Sequence, residues 1–597
     1  MSTLRDLYRI LSPRERRQVV LLLPLLVLTA LVQVVGIASV VPFLAIVADP
    51  GAIERHPKLR MLYDLGGFGD TRSFLLAVGA AMFLVIVGSN ALSAFSTWAT
   101  LRFSWMRSHT IAVRILRGYL ARPYLFFLEH HSSELGKNLL GEVIQVVTGT
   151  IVPAMKAVSG TIAVIAVLAL LFYVDPLLAL LTGLVMGGAY GVIFFAIRRN
   201  QRRIGKVRLA ANKDRFKTLA ETFGGIKEVK LLGREETMVQ RFKRPSADYA
   251  STTALNAVVA QLPRYALETI AFGGILVMVL YLLRRGEGFE AIVPTLGLYA
   301  IAGYRLMPSL QQIFHGLTSI RFNSAAIENL MQYIPASGAE PRRLPAVEPL
   351  RLRGMIRFRE VWFHYPTARE PLFRGLNLEL AAGTSSAFVG ATGSGKSTLG
   401  DLVMGLLQPT AGVIEIDGVV LDDDNLRNWQ RNLGYVPQSI FLADDTVARN
   451  IAFGLPDDLV DMDAVVRAAR AACIDEFIES ELPFGYETAV GERGVRLSGG
   501  QRQRIGIARA LYHDPQLILF DEATSSLDGV TEELVMQAVA ELARDRTVIT
   551  IAHRLSTVRA CDRIFLLAAG EVVDSGRYEE LLDSSAEFRE LASAAIR

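Results

Sequence analysis

The sequence has little cysteine and little charge. Only two of its 597 residues are cysteines, Cys473 and Cys561, and charged residues make up 20% of it against 51% hydrophobic residues. Two cysteines exclude a disulfide framework and fit a reducing compartment. An average soluble protein carries about 25% charged residues, so this composition excludes a disordered chain and argues against a purely soluble one. The small net charge, +4, predicts no nucleic-acid partner.

Four long runs contain no Lys, Arg, Asp or Glu: residues 19–48, 73–101, 157–174 and 176–197. Two more apolar runs, about 256–283 and 291–320, are interrupted by Arg264, Glu268 and Arg305. About 20 apolar residues span a bilayer as a helix, and buried helices of soluble proteins are rarely this long and uncharged. The first run is also about twice as long as a signal-peptide core. The sequence therefore predicts six membrane-spanning helices.

Basic residues gather before the first run, after the second and after the fourth. Five arginines precede the first run, against Asp6 and Glu15: Arg5, Arg9, Arg14, Arg16 and Arg17. Short basic loops stay on the cytoplasmic side. We therefore expect a multi-pass protein of the cell inner (cytoplasmic) membrane, with its N-terminus and its second half in the cytoplasm. The two basic loops are predicted to be helical over 104–120 and 201–219, and short segments at their far ends are predicted to dock on the second half.

A stretch near residues 333–349 is rich in proline, alanine and charge, which is typical of a linker. Beyond it, short β-branched runs such as Ser385–Val389 and Leu433–Val436 alternate with helical stretches. This alternation indicates an α/β domain with a mainly parallel sheet. The predicted organisation is an α-helical six-span membrane domain with two cytoplasmic coupling segments (1–330), a linker (331–350) and an α/β domain (351–597).

One motif in the α/β domain carries specific chemistry. Residues 390–397, Gly-Ala-Thr-Gly-Ser-Gly-Lys-Ser, match the phosphate-binding loop G-x-x-x-x-G-K-[ST] between a predicted strand and a predicted helix. Its N–H groups surround phosphates, Lys396 reaches the β and γ phosphates of ATP, and Ser397 binds Mg²⁺. The predicted nucleotide-binding residues here are Gly390, Ala391, Thr392, Gly393, Ser394, Gly395, Lys396, Ser397 and Thr398.

Two further groups of residues extend this chemistry. An apolar strand over 517–520 runs into Asp521 and Glu522. Asp521 is placed to help hold Mg²⁺, and Glu522 is placed to orient or deprotonate the water that attacks the γ-phosphate. A second anion-binding nest precedes the helix over 502–511, formed by Ser498, Gly499, Gly500 and Gln501.

Together these motifs resemble the ATP-binding cassette (ABC) family, and the order of six spans followed by one cassette resembles its exporter half-transporters. In this resemblance Tyr365 stacks on adenine, Gln438 contacts Mg²⁺ and the membrane domain, and His553 binds the γ-phosphate. The segment 525–528 matches the family's dimer-contacting loop, and 491–494 matches a loop typical of its exporters. The type of fold implied is the exporter (type IV) ABC fold with a P-loop ATPase domain.

The resemblance also implies how the chain assembles. In this family the motif at Ser498 caps the ATP held by the other subunit, so one chain with one of each element implies a head-to-tail homodimer. The elements required for hydrolysis all stand in their places: Lys396, Gln438, Ser498, Glu522 and His553. Both composite sites are therefore expected to hydrolyse ATP with Mg²⁺.

The substrate must be inferred from the membrane spans. Charges inside a membrane are costly and usually face a pathway, and the guanidinium groups of Arg264 and Arg305 suit phosphate or pyrophosphate. The alternative for Arg264 is a structural pair with Glu268, one helical turn away. Within the connection 49–72, a roughly amphipathic segment is either a helix that binds a lipid tail on the outer leaflet or an ordered surface loop.

The segments around Arg264 and Arg305, with this outer segment, resemble the PglK-type flippases of lipid-linked oligosaccharides in bacterial protein N-glycosylation. This resemblance implies ATP-driven flipping of a polyprenyl-pyrophosphate-linked oligosaccharide, with membrane lipids and the lipid-linked substrate as partners. Two alternatives stay open: a general exporter of lipids or hydrophobic drugs, and an ATP-gated channel or sensor.

Overall fold

The computed structural model describes the chain except residues 1, 41–42, 44–45, 48–50, 56, 175, 285–288, 335–348, 492–493, 523–545, 553–554 and 595–597. The chain divides into two compact units, Met1–Arg122 with Phe126–Arg342 and Pro123–Leu125 with Arg343–Arg597. We call them the helical unit and the α/β unit, and each is described by itself.

The helical unit is built from long helices joined by short ones. Its α-helices are Ser2–Ile10, Pro13–Ala38, Ala52–Arg55, Pro57–Leu65, Thr71–Leu120, Tyr124–Glu129, Ser132–Gly136, Val143–Val146, Val152–Val174, Pro176–Gly224, Ile226–Leu231, Glu235–Arg284, Phe289–Phe322 and Ser324–Met331. The helix Thr71–Leu120 has 50 residues, which is about 75 Å at 1.5 Å per residue. It is more than twice as long as a bilayer core of about 30 Å, because the basic loop after the apolar run continues the helix, as predicted.

Among the described residues, three helical stretches are long and apolar enough to cross a membrane: Pro13–Ala38, Thr71–Leu120 and Ser132–Val174. Only 6–28% of the residues in their most apolar stretches are buried within the chain, so these surfaces face outward, as lipid-facing surfaces do. The other predicted spans lie in the helices Pro176–Gly224, Glu235–Arg284 and Phe289–Phe322, in which some side chains lie outside the described set.

Small residues let two of these helices approach closely. A Cβ on Gly160, in the helix Val152–Val174, would lie 2.6 Å from the carbonyl oxygen of Ser309 in the helix Phe289–Phe322. A Cβ on Gly316 would lie 2.6 Å from the Cβ of Ala157. Membrane helices gain little from the hydrophobic effect, so close packing at small residues holds them together.

A buried ion pair lies beside two π-helical turns, Lys137–Glu142 and Val147–Ile151. The Arg208 guanidinium lies 2.7 Å from the Glu142 carboxylate, and both side chains are at most 2% exposed. Asn212 donates to the second oxygen of Glu142 at 2.8 Å. Arg208 lies in the basic segment that follows the fourth apolar run, yet the structure buries this arginine. Removing one partner of such a pair typically costs about 3–5 kcal/mol.

The connection between the first two spans contains the helices Ala52–Arg55 and Pro57–Leu65, so of the two alternatives for this segment the structure shows a helix. Tyr63 packs edge-on against Phe74 with ring centroids 5.3 Å apart, within a small cluster with Ile46 and Ile53. Met61, Leu62 and Leu65 are exposed. The helix therefore buries one apolar side in its own cluster and leaves a second apolar surface uncovered by the described chain.

The described residues of the α/β unit form ten strands, in chain order β1 (Met355–Phe363), β2 (Phe373–Ala381), β3 (Ser385–Val389), β4 (Ala411–Ile416), β5 (Val419–Val420), β6 (Leu433–Val436), β7 (Leu517–Asp521), β8 (Thr547–Ile551), β9 (Arg563–Ala568) and β10 (Glu571–Gly576). Six form one sheet in the order β10-β9-β3-β8-β7-β6, parallel except for the edge strand β10. Four form a separate antiparallel sheet, β2-β1-β4-β5. The parallel sheet is predicted from the sequence, whereas the antiparallel sheet is not.

Burial explains which strands belong to which sheet. β3 and β7 are buried almost without interruption, as strands covered on both faces are. β2 alternates between buried and exposed residues, as a strand with one solvated face does.

Helices complete the α/β unit: Lys396–Val403, Leu426–Gln430, Val447–Ile451, Met462–Ala471, Asp475–Glu481, Gly499–Leu511, Tyr578–Ser584 and Ala586–Ala594. One hydrophobic core joins both sheets through the helix Lys396–Val403. Another core gathers the helices Val447–Ile451, Met462–Ala471 and Gly499–Leu511.

Candidate functional site

The predicted site residues converge because of the sheet order. Parallel strands bring their carboxyl ends to one edge, where ligands bind in open α/β sheets. The loop 390–395 follows β3, Gln438 follows β6, and Asp521 ends β7, so all three reach the same edge. The order β3-β8-β7-β6 places one strand between the loop and Asp521.

The phosphate-binding loop depends on glycine at two positions. Gly395 precedes the helix Lys396–Val403 with a left-handed φ of 104°, which glycine adopts without steric cost. A Cβ on Gly390 would lie 2.1 Å from the carbonyl oxygen of Leu567. The glycines therefore allow the loop to reach the start of the helix without side chains in the way. At a helix start, unpaired N–H groups and the helix dipole attract anions.

Lys396 is held inside this loop. Its side chain is buried, and its ammonium group donates to the carbonyl oxygens of Gly390 at 2.9 Å and Ala391 at 3.0 Å. Burial lowers the pKa of Lys396, and the nearby carboxylates of Glu522 and Asp521 act in the opposite direction. The electrostatic coupling places Lys396 near the Asp-Glu pair.

Ser394 provides a direct test of whether the loop fits a phosphate. Its hydroxyl is buried and has no hydrogen-bond partner among the described residues. A buried hydroxyl without a partner is costly, and a phosphate oxygen is a suitable acceptor. Gly393 has no atom within 4 Å of the position where a Cβ would stand, so there is room beside it.

The Asp-Glu pair is joined to β6 by two side chains. Gln438 Nε2 donates to Glu522 Oε2 at 2.6 Å, and the Tyr435 hydroxyl donates to Asp521 Oδ2 at 3.4 Å. Glu522 has a left-handed φ of 48°, a conformation that costs about 1–3 kcal/mol for a residue other than glycine. Its N–H donates to the carbonyl of Ile551 at 3.0 Å, which holds the strained backbone in place.

Asp401 and Tyr435 belong to this site but are missing from the sequence prediction. Burial raises the pKa of Asp401 to about 6, with a further contribution from the charge of Asp521. The position of Asp401, one helical turn after Ser397, is the signal that sequence reasoning overlooked. Tyr435 lies three residues before Gln438, and nothing in the sequence distinguishes it from a packing residue.

Tyr365 is tied to the phosphate-binding helix. Its hydroxyl lies 3.0 Å from Thr398 Oγ1, and its ring packs edge-on against Phe363 with centroids 4.9 Å apart. Burial raises the pKa of Tyr365. The contact brings two predicted nucleotide-binding residues together, although they are distant in sequence.

The Ser498 motif starts the helix Gly499–Leu511 with a capping box. Gln501 N–H donates to Ser498 Oγ at 3.2 Å, and Ser498 N–H donates to Gln501 Oε1 at 2.7 Å. In the part of the chain that the structure describes, no hydrogen bond or ion pair links Ser498 or Gln501 to the edge with the phosphate-binding loop. The Ser498 motif and the phosphate-binding loop are thus two separate elements of the α/β unit.

Arg509 joins the end of this helix to the segment after Gln438. Its guanidinium donates to the carbonyl oxygens of Phe441 at 2.7 Å and Asn450 at 2.8 Å. Burial lowers the pKa of Arg509 to about 10, and Asn450 is fully buried. An arginine flanked by apolar residues on a helix is the signal by which the sequence could have shown this link.

Some predicted elements lie outside the described residues. These are His553, the segment 525–528, residues 492–493 of the loop 491–494, and residues 335–348 of the predicted linker 331–350.

The candidate substrate residues of the helical unit differ in their surroundings. Arg264 Nε donates to Glu268 Oε1 at 2.7 Å, so the predicted pair within one helix forms. Arg305 is half-buried, and its carbonyl accepts from the Ser309 hydroxyl at 3.2 Å. No ion pair of Arg305 is found among the residues that the structure describes.

The class of protein follows from both units together: a P-loop nucleoside triphosphatase combined with helices that span a membrane. Comparisons give the family. Residues 373–525 match the family model "ABC transporter", and residues 20–287 match "ABC transporter transmembrane region".

Similar curated proteins cover most of the chain. It is 34% identical over 489 residues, 80% of each chain, to the ATP-dependent lipid A-core flippase of Alkalilimnicola ehrlichii. It is 29% identical over 558 residues, 92% of each chain, to the flippase of the same name from Cupriavidus pinatubonensis. The chain therefore belongs to the ABC transporter family, as a half-transporter of the exporter type that couples ATP hydrolysis to transport across a membrane.

A solved structure supports the fold. The bacterial Atm1-family ABC exporter with ATP bound superimposes with a TM-score of 0.77 over 98% of both chains, at 24% sequence identity. The prediction of a helical exporter domain followed by an α/β ATPase domain is confirmed.

Proposed function

We propose that the chain flips a lipid-linked, anionic glycan across the bacterial cytoplasmic membrane, driven by ATP. The relatives named lipid A-core flippases support a lipid substrate, and Arg305 of the helical unit supports an anionic one. The finer proposal is a polyprenyl-pyrophosphate-linked oligosaccharide, and lipid A-core is the competing substrate. The alternatives of a drug exporter and of a channel or sensor rest on no observation in the structure.

The observation that carries the anionic substrate is the difference between the two arginines. Arg264 pairs with Glu268 at 2.7 Å, which satisfies both charges. Arg305 has no such pair among the described residues, although a guanidinium in a membrane needs an anionic partner. We assign it to the substrate's phosphate, which a guanidinium binds bidentately.

The α/β unit supplies the ATP chemistry. Lys396 and the N–H groups of residues 390–398 bind the phosphates, and Tyr365 stacks on adenine. Ser397, Asp521 and Gln438 would hold Mg²⁺, which would neutralise charge on the β and γ phosphates when bound. Glu522, held by Gln438, orients the attacking water and accepts its proton. His553 contacts the γ-phosphate in this proposal.

The working unit is proposed to be a head-to-tail homodimer. Ser498 and its neighbours cap their own helix and, within the described chain, have no bond to the phosphate-binding edge. A second chain, turned head to tail, brings its Ser498 motif onto this chain's ATP and forms two composite sites.

Mixed dimers test this arrangement. Homodimers carrying Lys396→Ala or Ser498→Arg have two damaged sites, whereas a dimer with one chain of each has both defects in one site and leaves the other intact. We expect ATPase activity to reappear in purified mixed dimers and to be lost in both homodimers. A catalytically active monomer in detergent would contradict the composite site.

The proposed location follows from the basic loops. The N-terminus, the α/β unit and the segments around Tyr124–Glu129 and Ile226–Leu231 are proposed to lie in the cytoplasm. The helix Pro57–Leu65 then lies outside, and its exposed Met61, Leu62 and Leu65 bind the lipid tail of the substrate.

Mass spectrometry of copurifying lipids tests the substrate class. Chains carrying Glu522→Gln, purified from the native membrane, are expected to retain a lipid-linked phosphorylated glycan that Arg305→Ala chains lose. Detection of a polyprenyl-pyrophosphate-linked oligosaccharide would support the finer proposal. Detection of lipid A-core would make lipid A-core the substrate instead. Retention of uncharged lipids alone contradicts an anionic substrate.

A further inference from the structure

Four arginines on the first two helices of the chain have exposed side chains. Arg5 and Arg9 lie on the helix Ser2–Ile10, and Arg14 and Arg17 lie on the first turns of the helix Pro13–Ala38. All four side chains are exposed, and no ion pair is found for any of them among the described residues. We call these four residues the arginine surface.

The helix that carries Arg5 and Arg9 is held in a fixed position. Ile10 is fully buried in a cluster with Ile111 and Ile327. The Arg114 guanidinium donates to the Ile10 carbonyl at 2.6 Å. Such anchoring means that the basic residues are presented by an ordered element and not by a loose chain end.

A second contact fixes the turn between the two helices. The Arg16 guanidinium lies 4.0 Å from the centre of the Tyr8 ring, and its Nε donates to the Tyr8 carbonyl at 3.0 Å. The Arg16 guanidinium therefore has a partner within the chain. No partner of its neighbours Arg14 and Arg17 is found among the described residues.

The nearest acids do not neutralise this surface. Glu15 is buried, lies 2.6 Å from the Arg107 guanidinium, and accepts from the Thr110 hydroxyl at 2.6 Å. Its other oxygen accepts from the Ser12 N–H in a capping box. Asp6 is the one other acid in the described part of these two helices, against the four exposed arginines.

The depth of the surface follows from the helix that continues it. Val20 and Leu21 are 62% and 74% exposed, and they begin the apolar stretch of a candidate span. Arg17 precedes Leu21 by about 6 Å of helix at 1.5 Å per residue. With Leu21 in contact with acyl chains, Arg17 lies at the level of the lipid headgroups.

We propose that the arginine surface binds the phosphate groups of anionic phospholipids in the adjoining leaflet. Basic residues immediately beside a membrane span attract anionic lipids, and guanidinium groups bind phosphate oxygens in pairs. The continuity with the apolar surface at Val20 and Leu21 selects a lipid partner over a soluble polyanion.

Native mass spectrometry of the chain in nanodiscs tests the proposal by measuring how much lipid it retains. The probe is phosphatidylglycerol at increasing fractions in phosphatidylcholine. The variant with Arg5, Arg9, Arg14 and Arg17 all changed to Gln is expected to retain about ten-fold less phosphatidylglycerol, since each charge contributes to binding. The wild-type preference is expected to weaken with salt. The same four positions changed to Lys should keep most of the binding.

Two controls keep the test decisive. Changing the exposed Arg351, Arg353, Arg369 and Arg467 of the α/β unit to Gln removes the same charge elsewhere and should leave lipid retention unchanged. If the quadruple variant does not insert, the pair Arg5→Gln and Arg9→Gln, which keeps Arg14 and Arg17 beside the span, should still lower retention. Equal phosphatidylglycerol retention by the folded variants and the wild type would overturn the proposal.

Discussion

The Glu522→Gln variant is expected to bind ATP in the presence of Mg²⁺ and to hydrolyse it at least about 10²-fold more slowly than the wild-type chain. A positioned general base contributes about 10²–10⁴-fold to such a reaction, and an amide cannot accept the proton. The amide can keep a hydrogen bond with Gln438, which now contacts the carboxylate at 2.6 Å. Phosphate release and nucleotide affinity, measured on the same preparation, separate the loss of chemistry from a loss of binding.

Glu476→Gln is the matched control, because Glu476 is an exposed acid on the helix Asp475–Glu481 of the same unit. It should hydrolyse ATP at the wild-type rate. The Glu522→Gln chain should also hold the dimer in its ATP-bound state, since closure requires bound ATP and opening requires its cleavage. Near-normal turnover by Glu522→Gln would remove Glu522 from the catalytic role.

The Arg305→Ala variant is expected to fold and to keep basal ATPase activity while losing most flipping of a pyrophosphate-linked lipid. The ATPase residues lie on another unit of the chain, so the variant removes only the proposed contact with the phosphate. Arg305→Lys should recover part of the flipping, because a lysine keeps the charge and loses the bidentate fork. Lipid flipping and ATPase rates are measured in the same proteoliposomes.

Arg203→Ala is the control for this experiment, since Arg203 is an exposed arginine of the same unit on the helix Pro176–Gly224. It should leave flipping unchanged. If Arg305→Ala instead misfolds and Glu268→Ala restores folding, Arg305 is a structural partner of that acid. The anionic-lipid proposal would then lose its main support.

Much of the fold could be predicted because its signals are local. The uncharged runs predict helices, and the absence of proline from residues 104–120 predicts that the helix Thr71–Leu120 continues into the basic segment. The apolar runs before the phosphate-binding loop and before Asp521 coincide with β3 and β7. The antiparallel sheet β2-β1-β4-β5 was missed, because its pairing joins strands that only tertiary contacts bring together.

In the site, too, residues that belong to a sequence motif could be predicted, whereas residues defined by their surroundings could not. The residues of the phosphate-binding loop are defined by their spacing, and the structure places Gln438 against Glu522 as neighbouring strands require. Asp401 and Arg509 escaped prediction, because their importance comes from burial and from distant partners. The buried pair of Glu142 and Arg208 also has no sequence signature, since an arginine in a basic loop is normally solvated.

ATP-driven flipping in proteoliposomes tests the central claim most directly. The wild-type chain and the Glu522→Gln chain are reconstituted with a labelled polyprenyl-pyrophosphate oligosaccharide or with labelled lipid A-core, and loss of label from one leaflet is followed with an impermeant reagent. We predict that the wild type moves one of these lipids only when ATP and Mg²⁺ are present, and that Glu522→Gln does not sustain the movement. Equal movement without ATP, or movement of neither lipid by a chain that still hydrolyses ATP, would contradict the account.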